Sequence, residues 1–368
     1  MVTGYRSGVN AVGPRWDAGT ITFWFPDPGR QLAGVRLVRD AGRRSVRADL
    51  TYDGQAWQLT MPPPDAWRLE YRLELLHANG DVELICDPAN PLRVGGAFGD
   101  RSVLQRSDYA EPQWLHAVAA AGAWRELAIP VTRLAGEVWT RIWSPTMSAP
   151  AKGGPILDRM LVVHDGPEYD KLADLGQFAA AIIADGRVRP FHLVLLGPGA
   201  RNEWYSANPA YARALTHDVL PRVRAELGIG AGRPVIGMGT SLGALAMLHA
   251  QRTDPYSFTG LFLQSGSFFQ PRLDPQEGAF PWFARITRFT RGLDRPVRRT
   301  VPIVMTCGRA EENLSNNQET ARTLSRHGYP VELHEVPDAH NYTGWRDAFD
   351  PYLVDLLRRV WAADQGGL

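Results

Sequence analysis

Two rhythms of apolar and polar residues divide the chain. Up to about residue 110, short runs such as ITFWFP (21–26), GVRLVRD (34–40), VRADLTYD (46–53) and AWQLTMP (56–62) are punctuated by Gly, Pro and Asp. In WRLEYRLELL (67–76) apolar and charged residues alternate, the pattern of a strand with one buried face. Asn79-Gly80 offers the residue pair of a type I′ turn, and VELIC (82–86) returns from it. This grammar predicts a small antiparallel β-sandwich of the immunoglobulin-like, early-set kind. No charged cluster, metal-ligand spacing or nucleophile motif stands out in it.

From about residue 137 strands alternate with helices. The strand candidates are EVWTRIWSP (137–145), RMLVVHDG (159–166), HLVLLGPG (192–199), RPVIGMGTS (233–241), GLFLQSGS (260–267), PIVMTCG (302–308) and VELHEVP (331–337). Between them, YARALTHDVLPRVRAELG (211–228) repeats Leu215, Val219, Val223 and Leu227 along one helical face. NNQETARTLSRHG (316–328) ends on Gly328, a C-cap signal. Such alternation predicts a mainly parallel sheet covered by helices on both faces. The Pro- and Gly-bearing stretch 88–130 holds the junction. We expect a sandwich over residues 1–125 and an α/β domain over 126–368.

Composition narrows the functional classes. At 368 residues the chain has room for about two domains, and 44% hydrophobic with 21% charged residues is a globular balance. Lys plus Arg (40) nearly equals Asp plus Glu (39), for a net charge of +1. That argues against nucleic-acid or membrane-surface partners, which call for a basic field. Cys86 and Cys307 are the two cysteines, too few for a disulfide framework. Residues 1–10 carry no apolar signal region, and no apolar run approaches about 18 residues, so a soluble, cytoplasmic protein is expected. No repeat or metal-ligand constellation appears, and neither metal nor cofactor is expected.

The chemistry concentrates in the second half. Gly239-Thr240-Ser241-Leu242-Gly243 is a G-x-S-x-G placed after a buried-type strand and before the apolar helix 244–250, the context of a nucleophile elbow. The serine must stand on a strained turn beyond the sheet, and small residues at 239 and 243 let strand and helix pass close by. A hydroxyl is a weak nucleophile and needs a base. In α/β-hydrolases the chain order is Ser, acid, His. Of nine histidines, His340 follows the last strand, whereas His249 and His327 are on helices and His334 is in a strand. The acid should follow PIVMTCG, which points to Glu311, with Glu312 next; Asp338 is too near His340 in sequence to be preferred. Oxyanion donors are expected from the Leu242 N–H and from the loop His164-Asp165-Gly166-Pro167-Glu168-Tyr169.

These pieces resemble the enterochelin (ferric enterobactin) esterase family within the esterase-D-like α/β-hydrolases. The resemblance rests on GTSLG (239–243), LQSGSFF (263–269), CGRAEEN (307–313), DAHNYTGWRDAF (338–349), RNEWYSANPAYARALTHDVLP (201–221) and the Asp-Pro-x-Asn-Pro run in DPANPLRVGGAFGDRSVL (87–104). It implies a cytoplasmic serine hydrolase that opens esters of a catecholate siderophore and so releases iron, the iron belonging to the substrate. Ser241, His340 and Glu311 take the catalytic positions. Arg201, Glu203, Trp204, Trp345 and Arg346 match motif positions that shape the substrate pocket or lock its loops.

Three departures from the family pattern carry consequences. Pro167 stands where the family usually has a residue with an N–H, and proline has none to donate, so either Glu168 or Gly166 supplies the second donor or the hole is weaker than normal. Asp338-Ala339 replaces Gly-Gly ahead of the histidine, and Phe269 stands where Trp is frequent. The leading expectation is a serine carboxylesterase acting on a siderophore-like or other acylated small molecule. The alternatives are an acyl-sugar esterase or acyltransferase, and a ligand-binding pseudo-enzyme on the same fold.

Overall fold

A computed structural model of the chain describes residues 13–17, 19–41, 44–96, 99–146 and 157–363; the opening decapeptide lies outside them. The chain falls into two compact units, Met1–Ala110 with Pro337–Ala339, and Glu111–Val336 with His340–Leu368.

The first unit is a sandwich of two antiparallel sheets. One orders the strands Arg15–Trp16, Ile21–Pro26, Ala56–Met61 and Thr51–Tyr52. The other runs Arg44–Asp49, Leu32–Ala41, Arg68–His77, Arg101–Gln105 and Arg93–Val94, with Val82–Ile85 also on Arg68–His77. Burial alternates along ITFWFP, as its two-residue period requires, and Phe23, Leu37, Trp57, Tyr71 and Leu73 meet in the core. Glu74 is buried, yet Arg36 and Arg47 hold its two oxygens at 3.2 and 3.1 Å. The Asp-Pro-x-Asn-Pro run closes the unit from inside. The Tyr71 hydroxyl donates to Asp87 at 2.7 Å, and Asn90 donates to Tyr71 and to the Val103 carbonyl. The turn at Asn79-Gly80 differs from the two-residue form expected. Gly80 N–H donates to the His77 carbonyl and Gly80 alone of the pair takes positive φ, +89°, which is a three-residue loop ending in a G1 bulge.

The second unit is built on eight strands: β1 (Gly122–Val131), β2 (Gly136–Pro145), β3 (Met160–Val163), β4 (His192–Leu196), β5 (Val235–Thr240), β6 (Gly260–Gln264), β7 (Ile303–Gly308) and β8 (Val331–Val336). Their order is β1-β2-β4-β3-β5-β6-β7-β8. The β1–β2 and β2–β4 pairs are antiparallel and the rest are parallel. Val162 and Val194 face one apolar cluster, while Leu161, Val163, Leu193 and Leu195 face another. Both faces of the sheet are therefore covered, which explains why these strands read as unbroken apolar runs. With the sandwich ahead of it, this is an α/β-hydrolase fold.

Two details depart from the periodicity. Strand β1 lies in the stretch read as a junction, and the expected boundary at 125/126 falls inside it. Its side chains are mostly exposed, and Pro130 within it is compatible with an edge position, so it lacks a core strand's signature. The helix expected over 211–228 starts at Pro209 on an Asn208 cap and widens into a π-turn over Leu215–Val219. Pro221, lacking an N–H, enters the following segment Leu220–Leu227, a known cause of such irregularity.

Candidate active site

Strand β5 ends in a sharp turn at Ser241, whose backbone sits at φ 53°, ψ −121°, a region that non-glycine residues occupy at a cost. The turn is compulsory because helix Leu242–Thr253 starts at once and folds back beside the strand. A Cβ on Gly239 would lie 2.5 Å from the Gly243 carbonyl carbon, so nothing larger than glycine fits there. Ser241 N–H is taken by the Gln264 carbonyl at 2.9 Å, and its own carbonyl accepts from Ser267 N–H at 3.0 Å. The Ser241 hydroxyl pairs with the Ser267 hydroxyl at 3.0 Å. No hydrogen bond joins it to His340 among the described residues.

His340 directly follows the Pro337–Ala339 segment, with 13% of its side chain exposed, and its Nδ1 lies 2.6 Å from Glu311 Oε2. Glu311 follows β7 and its side chain has no exposed surface. Its other oxygen accepts from the Gly308 N–H, from the Ser265 hydroxyl at 2.6 Å and from the Cys307 thiol at 3.2 Å. Burial alone would raise the Glu311 pKa. The charge and hydrogen bond of His340, with the Ser265 and Gly308 donors, outweigh it and hold the group below the usual carboxylate range. Burial and the adjacent Glu311 push the Cys307 thiol far up, so it remains a thiol. Asp338 groups with the first unit, where its carboxylate is 3.0 Å from Arg68.

The loop after β3 places Asp165 in the left-handed region (φ 51°) directly before helix Gly166–Ala173. Tyr169 N–H makes the first helical bond, to the Asp165 carbonyl. The preceding N–H groups, those of Gly166 and Glu168, therefore have no partner within the helix, and Pro167 between them has none to offer. The Leu242 N–H opens the neighbouring helix in the same way. Arg201 clamps Asp165 through two bonds of 2.7 Å. Beneath the loop, His164 is fully buried, and burial pushes its pKa down to about 4. Its Nδ1–H must donate to the Gly243 carbonyl (2.9 Å), which leaves Nε2 to accept from Tyr211 (2.9 Å). A neutral imidazole thus ties the elbow to its neighbouring helix.

The remaining expected pocket residues separate. Trp204 is buried and stacks on Tyr211 with ring centroids 5.6 Å apart, a core position. Glu203 is exposed, and its carbonyl accepts from Arg285. Arg346 pairs with Asp347 at 2.9 Å. Trp345 is buried beneath His340, edge-on at 5.0 Å. Of the two glutamates, Glu311 is the one whose carboxylate meets His340 Nδ1. His249 packs edge-on to Phe289 and His334 stacks on Tyr352. Residues the sequence reading passed over include Ser265, Ser267 and Gln264, although LQSGSFF contained all three. Gln264 links Tyr169, Thr306 and the Trp345 carbonyl. Among the described residues no cluster of three or more His, Cys, Asp or Glu is arranged to hold a metal, and no helix is long and apolar enough to cross a membrane.

No curated protein matches the sequence closely enough to count as a relative. Solved structures do match in fold. The ferric enterobactin esterase of Salmonella typhimurium is 19% identical with a TM-score of 0.71, over 95% of this chain and 98% of that one. The enterobactin esterase of Shigella flexneri, crystallised in the presence of 2,3-di-hydroxy-N-benzoyl-serine, is 19% identical with a TM-score of 0.71 over 95% and 97%. A ferulic acid esterase covers 64% of this chain and 98% of its own, at 15% identity and a TM-score of 0.53. The esterase family model, described as "Putative esterase", matches residues 136–356. That span contains the elbow, Glu311 and His340, and the chain belongs to this esterase family, as a carboxylic ester hydrolase.

Proposed function

We propose that the chain is a serine esterase of the enterochelin-esterase kind, with Ser241 as nucleophile, His340 as base and Glu311 as the acid that orients it. The observation that carries this reading is the 2.6 Å contact between His340 Nδ1 and the buried Glu311 carboxylate, on the strand ends next to a strained serine elbow. A carboxylate can only accept, so Nδ1 carries the proton and Nε2 is left as the base. On substrate binding the Ser241 hydroxyl exchanges Ser267 for Nε2. Its oxygen attacks the ester carbonyl as Nε2 takes its proton, and the N–H groups of Leu242 and Glu168 receive the developing oxyanion. The tetrahedral intermediate collapses, and the leaving alkoxide takes the proton from His340. Water, deprotonated by His340, then releases the acid and restores Ser241.

The substrate class we assign is an acylated small molecule of siderophore type, with the reaction in the cytoplasm. Support comes from the motif resemblance along both halves of the chain and from fold neighbours crystallised with catecholate ligands. A fluorophosphonate probe is expected to label Ser241, and Ser241→Ala to be neither labelled nor active. Equal labelling of the variant removes the reading. Turnover of cyclic catecholate trilactones in preference to acyl sugars is the expected substrate result, and the reverse preference moves the chain to the acyl-sugar class. Ligand binding with no Ser241-dependent turnover in either set would mark a pseudo-enzyme.

A further inference from the structure

Ser265, at the end of β6, adopts φ 48°. A serine is held in the left-handed region only where its surroundings over-determine it. Here its N–H donates to the Thr306 carbonyl at 2.7 Å and its carbonyl accepts from Asn313 at 3.1 Å. This conformation brings its buried hydroxyl between two groups that lie far apart in sequence. The Trp345 indole N–H is 2.9 Å away on one side and Glu311 Oε1 is 2.6 Å away on the other.

The direction of this chain follows from chemistry. An indole nitrogen only donates and a carboxylate only accepts. The single hydroxyl proton of Ser265 must therefore point at Glu311 while its oxygen accepts from Trp345. With Oε1 already receiving the Gly308, Cys307 and Ser265 donors, Oε2 is left to the His340 Nδ1–H. Trp345 also acts from a second side, because its ring meets the imidazole at 84°. The Gln264 amide fixes the Trp345 carbonyl at 3.0 Å.

We infer that Trp345 and Ser265 form a positioning relay for the acid–base pair: the indole N–H sets the Ser265 hydroxyl, and that hydroxyl sets the carboxylate facing His340. The inference rests on the roles proposed above for Ser241, His340 and Glu311. It gives Trp345 a task beneath the imidazole in place of the pocket-wall role expected from sequence, and it adds Ser265 as a positioning residue.

The test uses the full chain, a p-nitrophenyl ester and the variants Ser265→Ala, Trp345→Phe and the double. Ser265→Ala is expected to lower kcat by about 10–100-fold, the range for losing a hydrogen bond to a charged group, with KM within about twofold. Trp345→Phe keeps a ring and loses the N–H, for a loss of about 3–10-fold. In Ser265→Ala the acid limb of kcat/KM moves to higher pH, because a carboxylate short of one donor holds the imidazolium more tightly. In Trp345→Phe it moves the same way by less, because a hydroxyl that no longer accepts from the indole donates a weaker hydrogen bond to Glu311. The double variant should match Ser265→Ala alone, since the indole acts through the hydroxyl. Parent-like kcat and pH profile in Ser265→Ala overturn the relay, as do additive losses with an unmoved acid limb. If Ser265→Ala melts below the assay temperature, the acid limb of Trp345→Phe decides in the same two ways. Ser241→Ala separates the two levels of argument. If it turns over like the parent, the underlying reading fails; if it is inert while Ser265→Ala is unchanged, the relay alone fails.

Discussion

Glu311 is a charged carboxylate with no exposed side-chain surface, and the donors that keep it charged come from three strand ends: Gly308 at the end of β7, Ser265 after β6 and His340 after β8. Replacing it with glutamine preserves the shape and reverses one polarity. The Gly308, Ser265 and Cys307 donors select the amide oxygen for the Oε1 position, which turns the amide NH2 toward His340. The imidazole must then accept at Nδ1 and carry its proton on Nε2, where it cannot act as base. Glu311→Gln is expected to lower kcat by on the order of 10⁴-fold, measured by steady-state kinetics with the melting temperature as control. A loss below about tenfold would assign the orienting role elsewhere. At this scale the sequence was legible down to a pair of glutamates. The choice between them depends on the Gly308 N–H and on Ser265, which is 46 residues away, and no local pattern carries a contact of that range. The Trp345–Ser265 bond spans 80 residues and was invisible for the same reason.

Between strands and helices, the two glycines of the elbow are not equivalent. A methyl on Gly239 meets backbone at 2.5–2.9 Å, whereas one on Gly243 meets the His164 Cβ at 3.1 Å and the Asp165 carboxylate at 3.3 Å. Backbone cannot yield without moving the helix, and side chains yield by tenths of an ångström. Gly239→Ala should therefore cost about 2–3 kcal/mol or more, and Gly243→Ala roughly half of that, as ranked by urea unfolding; the opposite ranking would refute the argument. Pro167 belongs to this scale too. It occupies the first turn of helix Gly166–Ala173, where a missing N–H breaks no helical bond. With Glu168 as the donor, Pro167→Ala should leave kcat within about threefold, whereas a rise of tenfold or more would mean that the absent N–H limits the rate. The elements themselves were legible wherever both faces of a strand are buried or one face strictly alternates. Strand β1 was missed because an exposed edge strand shows neither signal, and the Asn79-Gly80 turn type depended on one extra residue in the loop.

Across the second unit, the buried His164 and His192 and the half-buried His249 are kept neutral by the fold. Burial lowers His164, His192 and His249 each to about 4, from an ordinary 6.5, with nearby arginines adding to the effect. His192 Nδ1 is held by Ser144 at 2.7 Å, His164 lies between Gly243 and Tyr211, and His249 packs on Phe289. A folded pKa below the unfolded one means that the unfolded chain binds more protons between the two values. Stability from these residues is thus complete above about pH 6.5 and falls as pH drops toward 4. Each contributes a slope of up to about 1.4 kcal/mol per pH unit. Glu311 acts with the same sign in a lower window, since its folded pKa is depressed and its contribution disappears only as pH falls through that value. Urea unfolding at closely spaced pH values should therefore show stability declining between pH 6.5 and 4, with a slope of up to three protons less what Asp87, Glu168, Asp170 and Asp274 take up in the fold, since burial raises their pKa values and gives them the opposite sign. His249→Gln should shed about one proton of that slope, because its site touches neither the elbow nor Glu311. If His249→Gln leaves the slope unchanged, that imidazole titrates in the fold as it does in water, and its packing on Phe289 does not exclude the charge.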